Sequence, residues 1–162
     1  MFKTDSGRFI SYYGRQSAKN TPPLNADAKI RSLDQLFEIL LKVWQKDTAY
    51  PSCQLEYDHD NDPSFGQCAI TAVLVHDLFG GTIQKIRTNG GTHYFNVLNG
   101  KTIDLTSDQF TLYGIPLDYC NSIEVPREYC GTNPDTLKRL SLLKKRVESA
   151  ADEKSDKSKK PE

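Results

Sequence analysis

Apolar residues recur every third or fourth position through SLDQLFEILLKVWQKD, residues 32–47, with Leu33, Leu36, Phe37, Leu40, Leu41 and Trp44 on one face. That period predicts an amphipathic helix. Ser32 and Gln35 stand at the spacing of a capping box, in which each side chain satisfies an orphan backbone N–H. Polar positions then almost vanish in FGQCAITAVLVHDLFGG, residues 65–81. This stretch predicts a second helix that opens at Cys68 and stops at Gly80-Gly81. A helix apolar on nearly every side belongs at the centre of a fold.

Downstream the period changes to two. TIQKIRT, THYFNVL and KTIDLT read as three strands, and Asn99-Gly100 between the last two predicts a tight two-residue hairpin. After SDQF the pattern is irregular to about Gly131, with IPLDYC and IEVP as short extended pieces. Residues 134–150 read as a helix with a narrow stripe of Leu137, Leu140, Leu143 and Val147 among Lys and Arg. The expected organisation is an N-terminal extension over 1–30, partly flexible, and an α+β core over 31–131. A C-terminal helix follows over 132–150, then a disordered charged tail over 151–162. Residues 48–66 are expected to be a long loop.

The chain has 162 residues, enough for one domain with its own core. Its 21 basic and 21 acidic residues cancel, so no overall field favours nucleic acid or an anionic membrane surface, and neither is expected as a partner. No apolar run approaches the roughly 20 residues needed to span a bilayer. The first residues carry no apolar signal region, so a cytoplasmic location is expected. Four cysteines, Cys53, Cys68, Cys120 and Cys130, fit a reduced compartment. Three of them read as small buried or half-buried hydrophobes.

Cys68 is different because of its place. The first turn of a helix offers unpaired N–H groups and the positive end of the dipole, which favour a thiolate. The same N–H groups can steady an oxyanion, and Gln67 could add a side-chain donor. A thiol nucleophile also needs a base that can later return the proton. His93 on the second strand and Asp104 beyond the hairpin supply the pair. If Asn99-Gly100 form the loop, Leu98 pairs with Lys101, Phe95 faces Asp104 and His93 faces Thr106. His93 and Asp104 are then diagonal neighbours on one sheet face, about 7–8 Å apart at the backbone and within side-chain reach. Asn96 is a second orienting candidate, but the same count puts it on the opposite face.

This order of nucleophile helix, His strand and Asp strand is similar to the core of the papain-like and transglutaminase-like cysteine enzymes. More closely, GQCAITAVLVHDLFGG, HYFNVLNG and IDLTSDQF resemble the YunG-like bacterial proteins. Their matching pieces are a G-Q-C-A-x-T-A helix, an H-Y-x-N strand and a D-[LF]-T-x-x-Q-F turn. The helix carrying Trp44 fits as well, and the resemblance covers about residues 31–115. It implies an α+β fold with Cys68, His93 and Asp104 as the site and Gln67 and Asn96 near it. It supplies no activity. Only 25 residues separate Cys68 from His93. A small sheet and a shallow groove are therefore expected, suited to a small or exposed amide more than to endopeptidase action.

Other constellations weigh less. Asp58, Asp60 and Asp62 alternate as in a calcium loop, but Pro63 stands where glycine is required and Ala69 where glutamate is. The loop reads as solvated acid, or as a surface favouring a cationic substrate. Zinc is a rival use of Cys68, His93 and Asp104, with His59 or Cys53 as a fourth ligand. His76 is rotated by roughly 80° from Cys68 on the helix and reads as a surface or satisfied core histidine. Lys138, Arg139, Lys144, Lys145 and Arg146 read as a wet helix face. The expected function is a Cys-His-Asp hydrolase, deamidase or acyltransferase without a cofactor or metal, acting on an amide or ester substrate, protein or small molecule. The alternative is a non-catalytic binding or regulatory module on the same fold.

Overall fold

The computed structural model describes residues 2–159. In chain order the elements are β1 (Phe2–Lys3), β2 (Phe9–Ile10), α1 (Arg15–Ala18), α2 (Leu33–Val43), α3 (Cys68–Phe79), β3 (Thr82–Thr88), β4 (Gly91–Leu98), β5 (Lys101–Ile103), α4 (Asp108–Thr111), β6 (Ile123–Val125), α5 (Arg127–Gly131) and α6 (Pro134–Lys159). Among the described residues this is a mixed α+β fold with six helices and two small antiparallel sheets. The sheets are β1-β2 and a four-stranded sheet of order β5-β4-β3-β6. No described helix is long and apolar enough to cross a membrane.

Helix α3 is central, as its composition predicts. Ile70, Val73 and Val75 are fully buried, and the helix packs against β3, β4, α5 and α6. The flanking α2 buries Leu33, Leu36, Phe37, Ile39, Leu40 and Leu41. Its start is capped by Ser32, whose hydroxyl accepts the Gln35 N–H at 3.1 Å. The return half of the expected box shifts by one residue, since Gln35 Oε1 accepts from the Arg31 N–H at 2.6 Å. The helix ends at Val43, short of the predicted Asp47. Trp44 leaves the helical path, with ψ of 127°, and its buried indole N–H donates to Thr71 Oγ1 of α3 at 3.0 Å. That bond satisfies the one polar atom of a ring otherwise buried in the core.

The β4–β5 hairpin has the predicted register. Leu98 pairs with Lys101, Val97 with Thr102 and Asn96 with Ile103. Asn99 and Gly100 have φ of 52° and 75°, the left-handed pair that a two-residue turn needs to match strand twist. Strand β5 is shorter than expected. It stops at Ile103, and Asp104 pairs instead with Tyr13 of the N-terminal segment: its N–H donates to the Tyr13 carbonyl at 3.1 Å, and its carbonyl accepts from Tyr13 at 3.3 Å.

Within the extension expected to be partly flexible, parts of residues 2–30 pack onto the core. Ile10, Tyr12, Ala18 and Ile30 are buried. The Tyr12 hydroxyl donates to Asp34 at 2.6 Å, and Arg15 clamps the same carboxylate at 3.0 and 2.8 Å. Gly14 has φ of +87°, and a side chain there would run into the Thr102 carbonyl of β5. The C-terminal helix also departs from expectation. It continues to Lys159, through most of the stretch assigned to a disordered tail, and Ala151 is buried. Ala, Glu and Lys are strong helix formers, and no proline intervenes before Pro161. Residues 160–162 lie outside the described residues. Leu140, Leu143 and Val147 are in the core, but Leu137, at the open end of the stripe, is 43% exposed. Helix α5, in a region expected to be irregular, covers α3 through the buried Cys130.

Candidate active site

Cys68 is the first residue of α3, and its half-buried side chain lines a cleft of about 620 Å³. The first bond of the helical ladder runs from the Thr71 N–H to the Gln67 carbonyl at 3.1 Å. The earlier N–H groups, from Cys68 on, precede that ladder and face outward at the positive end of the helix. Cys53 and Cys130 line the same cleft. Burial pushes both thiols up, Cys130 to about 12, which makes each a poor source of thiolate at neutral pH.

His93 lies at the third position of β4 and is fully buried. Its Nε2 meets Asp104 Oδ2 at 2.6 Å. Burial pulls the imidazole pKa down. The charge and hydrogen bond of Asp104, joined by the Cys68 thiol, outweigh it, so the ring keeps its second proton above the ordinary histidine range. Its Nδ1 makes no hydrogen bond of good geometry, and Cys68 is the partner acting on the ring besides Asp104. Phe110 packs edge-on against the imidazole at 4.7 Å.

Asp104 is itself held from several sides. Oδ1 accepts the Thr106 backbone N–H at 3.1 Å and the Thr106 hydroxyl at 3.3 Å. Oδ2 accepts the Tyr119 hydroxyl at 2.8 Å as well as His93. Asp104, with 1% of its surface exposed, is a buried carboxylate with four donors, one of them the His93 ring. That number of partners offsets its desolvation. The Tyr119 hydroxyl, next to that charge, is pushed up strongly by burial and by Asp104.

The structure thus brings Cys68, His93 and Asp104 together. It uses the other two sequence candidates differently. Gln67, expected at the oxyanion, is fully buried and absent from the cleft wall; its Nε2 donates to the Gln45 carbonyl at 3.0 Å. Asn96, an odd number of residues from His93 on β4, points to the other face, where its Nδ2 donates to the Ala72 carbonyl of α3 at 2.9 Å. It ties the sheet to the central helix.

Four supporting residues were not among the sequence candidates. Tyr119 sits in an aperiodic stretch, and nothing local marks it. Thr106, Gln109 and Phe110 all lie within IDLTSDQF, so the motif itself was the available signal. Gln109 is buried at the cleft wall. Its Oε1 accepts the Gly66 N–H at 3.1 Å, and its Nε2 has no partner.

The acidic loop before Cys68 is also less solvated than expected. Asp62 and Ser64 are buried, and the Ser64 hydroxyl donates to Asp62 at 3.2 Å. Burial, followed by the charge of Asp108, raises the Asp62 carboxyl to about 6. Among the described residues, no three His, Cys, Asp or Glu side chains are arranged to hold a metal ion. Several basic residues of α6 pair with acids, among them Lys144 with Asp77 at 2.9 Å and Arg146 with Asp47 at 2.6 Å.

No solved structure matches this chain. A curated relative, the uncharacterised protein YunG of Bacillus subtilis (strain 168), is 46% identical over 57 residues. The match covers 35% of this chain and 47% of the relative, so it spans about half of that protein's length. Residues 32–152 match the family model described as YunG protein, a span that contains Cys68, His93, Asp104 and the whole cleft wall, and the chain accordingly belongs to the YunG family.

Proposed function

We propose that this protein is a cysteine-dependent acyl-group enzyme, a hydrolase, deamidase or acyltransferase, with Cys68 as nucleophile, His93 as acid and base, and Asp104 as the residue that orients the imidazole. The observation that carries the reading is the division of labour on His93. One ring nitrogen is committed to a buried carboxylate at 2.6 Å, and the other has no partner beside a half-buried thiol at a helix start. A histidine serving structure alone would have both nitrogens satisfied.

The steps follow from the placement. The Cys68 thiol passes its proton to His93 Nδ1, its sulfur attacks the carbonyl carbon of an amide, ester or thioester, and the π electrons move to oxygen. The tetrahedral species collapses, the bond to the leaving group breaks, and the leaving amine, alcohol or thiol takes the proton from His93 Nδ1. Water or an acceptor amine then gives a proton back to His93 and attacks the acyl-enzyme, releasing product and restoring the thiol–imidazole pair. Throughout, Asp104 keeps Nε2 protonated and the ring in place. The likeness to papain-like and transglutaminase-like enzymes is part of this reading. It is supported by the chain order of Cys helix, His strand and Asp, not by fold similarity.

The test is the rate of iodoacetamide alkylation at Cys68 against pH, followed by peptide mass spectrometry. The expected result is rapid alkylation below pH 8 that His93→Ala abolishes, together with covalent capture of an acyl donor that Cys68→Ser does not capture. A Cys68 as sluggish as a free thiol, with no change in His93→Ala, would mean a non-catalytic module.

A further inference from the structure

The proposed chemistry leaves the substrate oxygen without a side-chain donor, because Gln67, the sequence candidate, is engaged elsewhere. We infer that Gln109 is a catalytic residue whose side-chain Nε2 donates to the acyl oxygen during attack by Cys68. This inference rests on the acyl-transfer reading.

Three observations support it. First, Gln109 lines the cleft that holds Cys68, although only 6% of its surface is exposed. Second, the orientation of its amide is fixed. The Gly66 N–H donates to Oε1 at 3.1 Å, so the carbonyl arm is turned to the chain two residues before Cys68, and Nε2 is the free arm. Third, that free arm has no hydrogen-bond partner. A buried donor left unpaired costs about 1–3 kcal/mol. Native folds leave few such groups, and a catalytic role is one reason for keeping one. Three of the four orphaned buried side-chain atoms among the described residues belong to residues around Cys68: Gln67 beside it, His93 acting on it, and Gln109 bonded to Gly66. Gln67 Oε1 is an acceptor and His93 Nδ1 is the acid–base atom, so among these orphaned atoms Gln109 Nε2 is the amide donor left for an oxyanion, beside the N–H groups at the start of α3.

The surroundings make Gln109 rigid, as a preorganised donor must be. It lies on α4, whose Asp108 is clamped by Arg8 at 2.9 and 2.8 Å, while Arg8 also donates to the Asn61 carbonyl at 3.0 Å. The Gln109 N–H donates to the Thr106 carbonyl at 3.2 Å. Thr106 in turn holds Asp104. One short segment, residues 104–109, therefore carries both the carboxylate behind His93 and the amide at the cleft wall.

The experiment compares two reactions at Cys68. Acylation by p-nitrophenyl acetate develops negative charge on oxygen; alkylation by iodoacetamide does not. Gln109→Glu keeps an acceptor for the Gly66 N–H and removes the donor, and Gln109→Met removes both. The expected result is acylation slowed by about 10²-fold or more in both variants, with the alkylation rate of Gln109→Met and its pH profile unchanged. A variant whose acylation and alkylation fall together, or whose acylation does not fall, overturns the assignment. Wild-type protein that is alkylated rapidly but never acylated removes the acyl-transfer reading itself, and the role of Gln109 with it.

Discussion

His93 Nε2 and Asp104 Oδ2 lie 2.6 Å apart although the ladder between their strands ends at Ile103, one residue short of the carboxylate. Asp104 has left β5 and is held by Tyr13 through two backbone bonds and by Thr106 and Tyr119 through its side chain. Breaking a buried ion pair by removing one charge costs about 3–5 kcal/mol. Asp104→Asn is therefore expected to destabilise the protein by that order and to lower the His93 pKa. The sign with pH follows from the raised imidazole: its stabilisation is full below the unfolded histidine value of 6.5 and is lost as pH rises through the folded value. Urea unfolding should show the wild type and Asp104→Asn furthest apart at about pH 6, converging as pH rises; a gap that widens with pH would refute the pairing.

Tyr119→Phe keeps the ring contacts to Tyr13 at 4.4 Å and Phe95 at 4.8 Å but deprives Asp104 of one donor. A hydrogen bond to a charged group is worth about 1.5–3 kcal/mol, and thermal unfolding should report a loss in that range. A Tm equal to wild type would show that the hydroxyl contributes nothing to holding the carboxylate.

Gly66 has φ of +74°, and a Cβ there would come within 2.8 Å of Cys53 Cβ and 3.1 Å of the Tyr50 nitrogen. Left-handed backbone alone costs a non-glycine residue about 1–2 kcal/mol. Gly66→Ala is expected to lose at least that in chemical denaturation. It should also slow acylation at Cys68, because the Gly66 N–H that orients Gln109 would move. Wild-type stability together with wild-type acylation would sink this account of the turn.

Asp62 is a buried carboxyl whose raised pKa of about 6 means that the folded protein binds its proton more tightly than the unfolded chain does. Its ionisation costs stability at pH above that value, and the cost disappears as pH falls below the unfolded value of 3.8. The difference in unfolding free energy between Asp62→Asn and wild type should shift in favour of the variant between those two values and stay level above them. A difference independent of pH would mean that Asp62 is not a strained charge.

Local pattern alone decided a good part of this protein. The apolar run after Gln67 could only be a central helix, which put Cys68 at its first turn. Asn99-Gly100 between two alternating segments fixed a hairpin register, and register fixes which side chains share a face, so His93 and Asp104 were legible as neighbours. These are short-range consequences of backbone geometry.

The rest depended on contacts between residues far apart in the chain, which no local period encodes. Asp104 owes its place to Tyr13, 91 positions earlier. Gln67 had the sequence position of an oxyanion donor, but the carbonyl of Gln45 took its amide, and a glutamine 42 residues later stands free at the cleft instead. A side-chain amide has several donors and acceptors within reach in a folded core. Which one it meets is settled by burial and packing, since every buried polar group that can find a partner must.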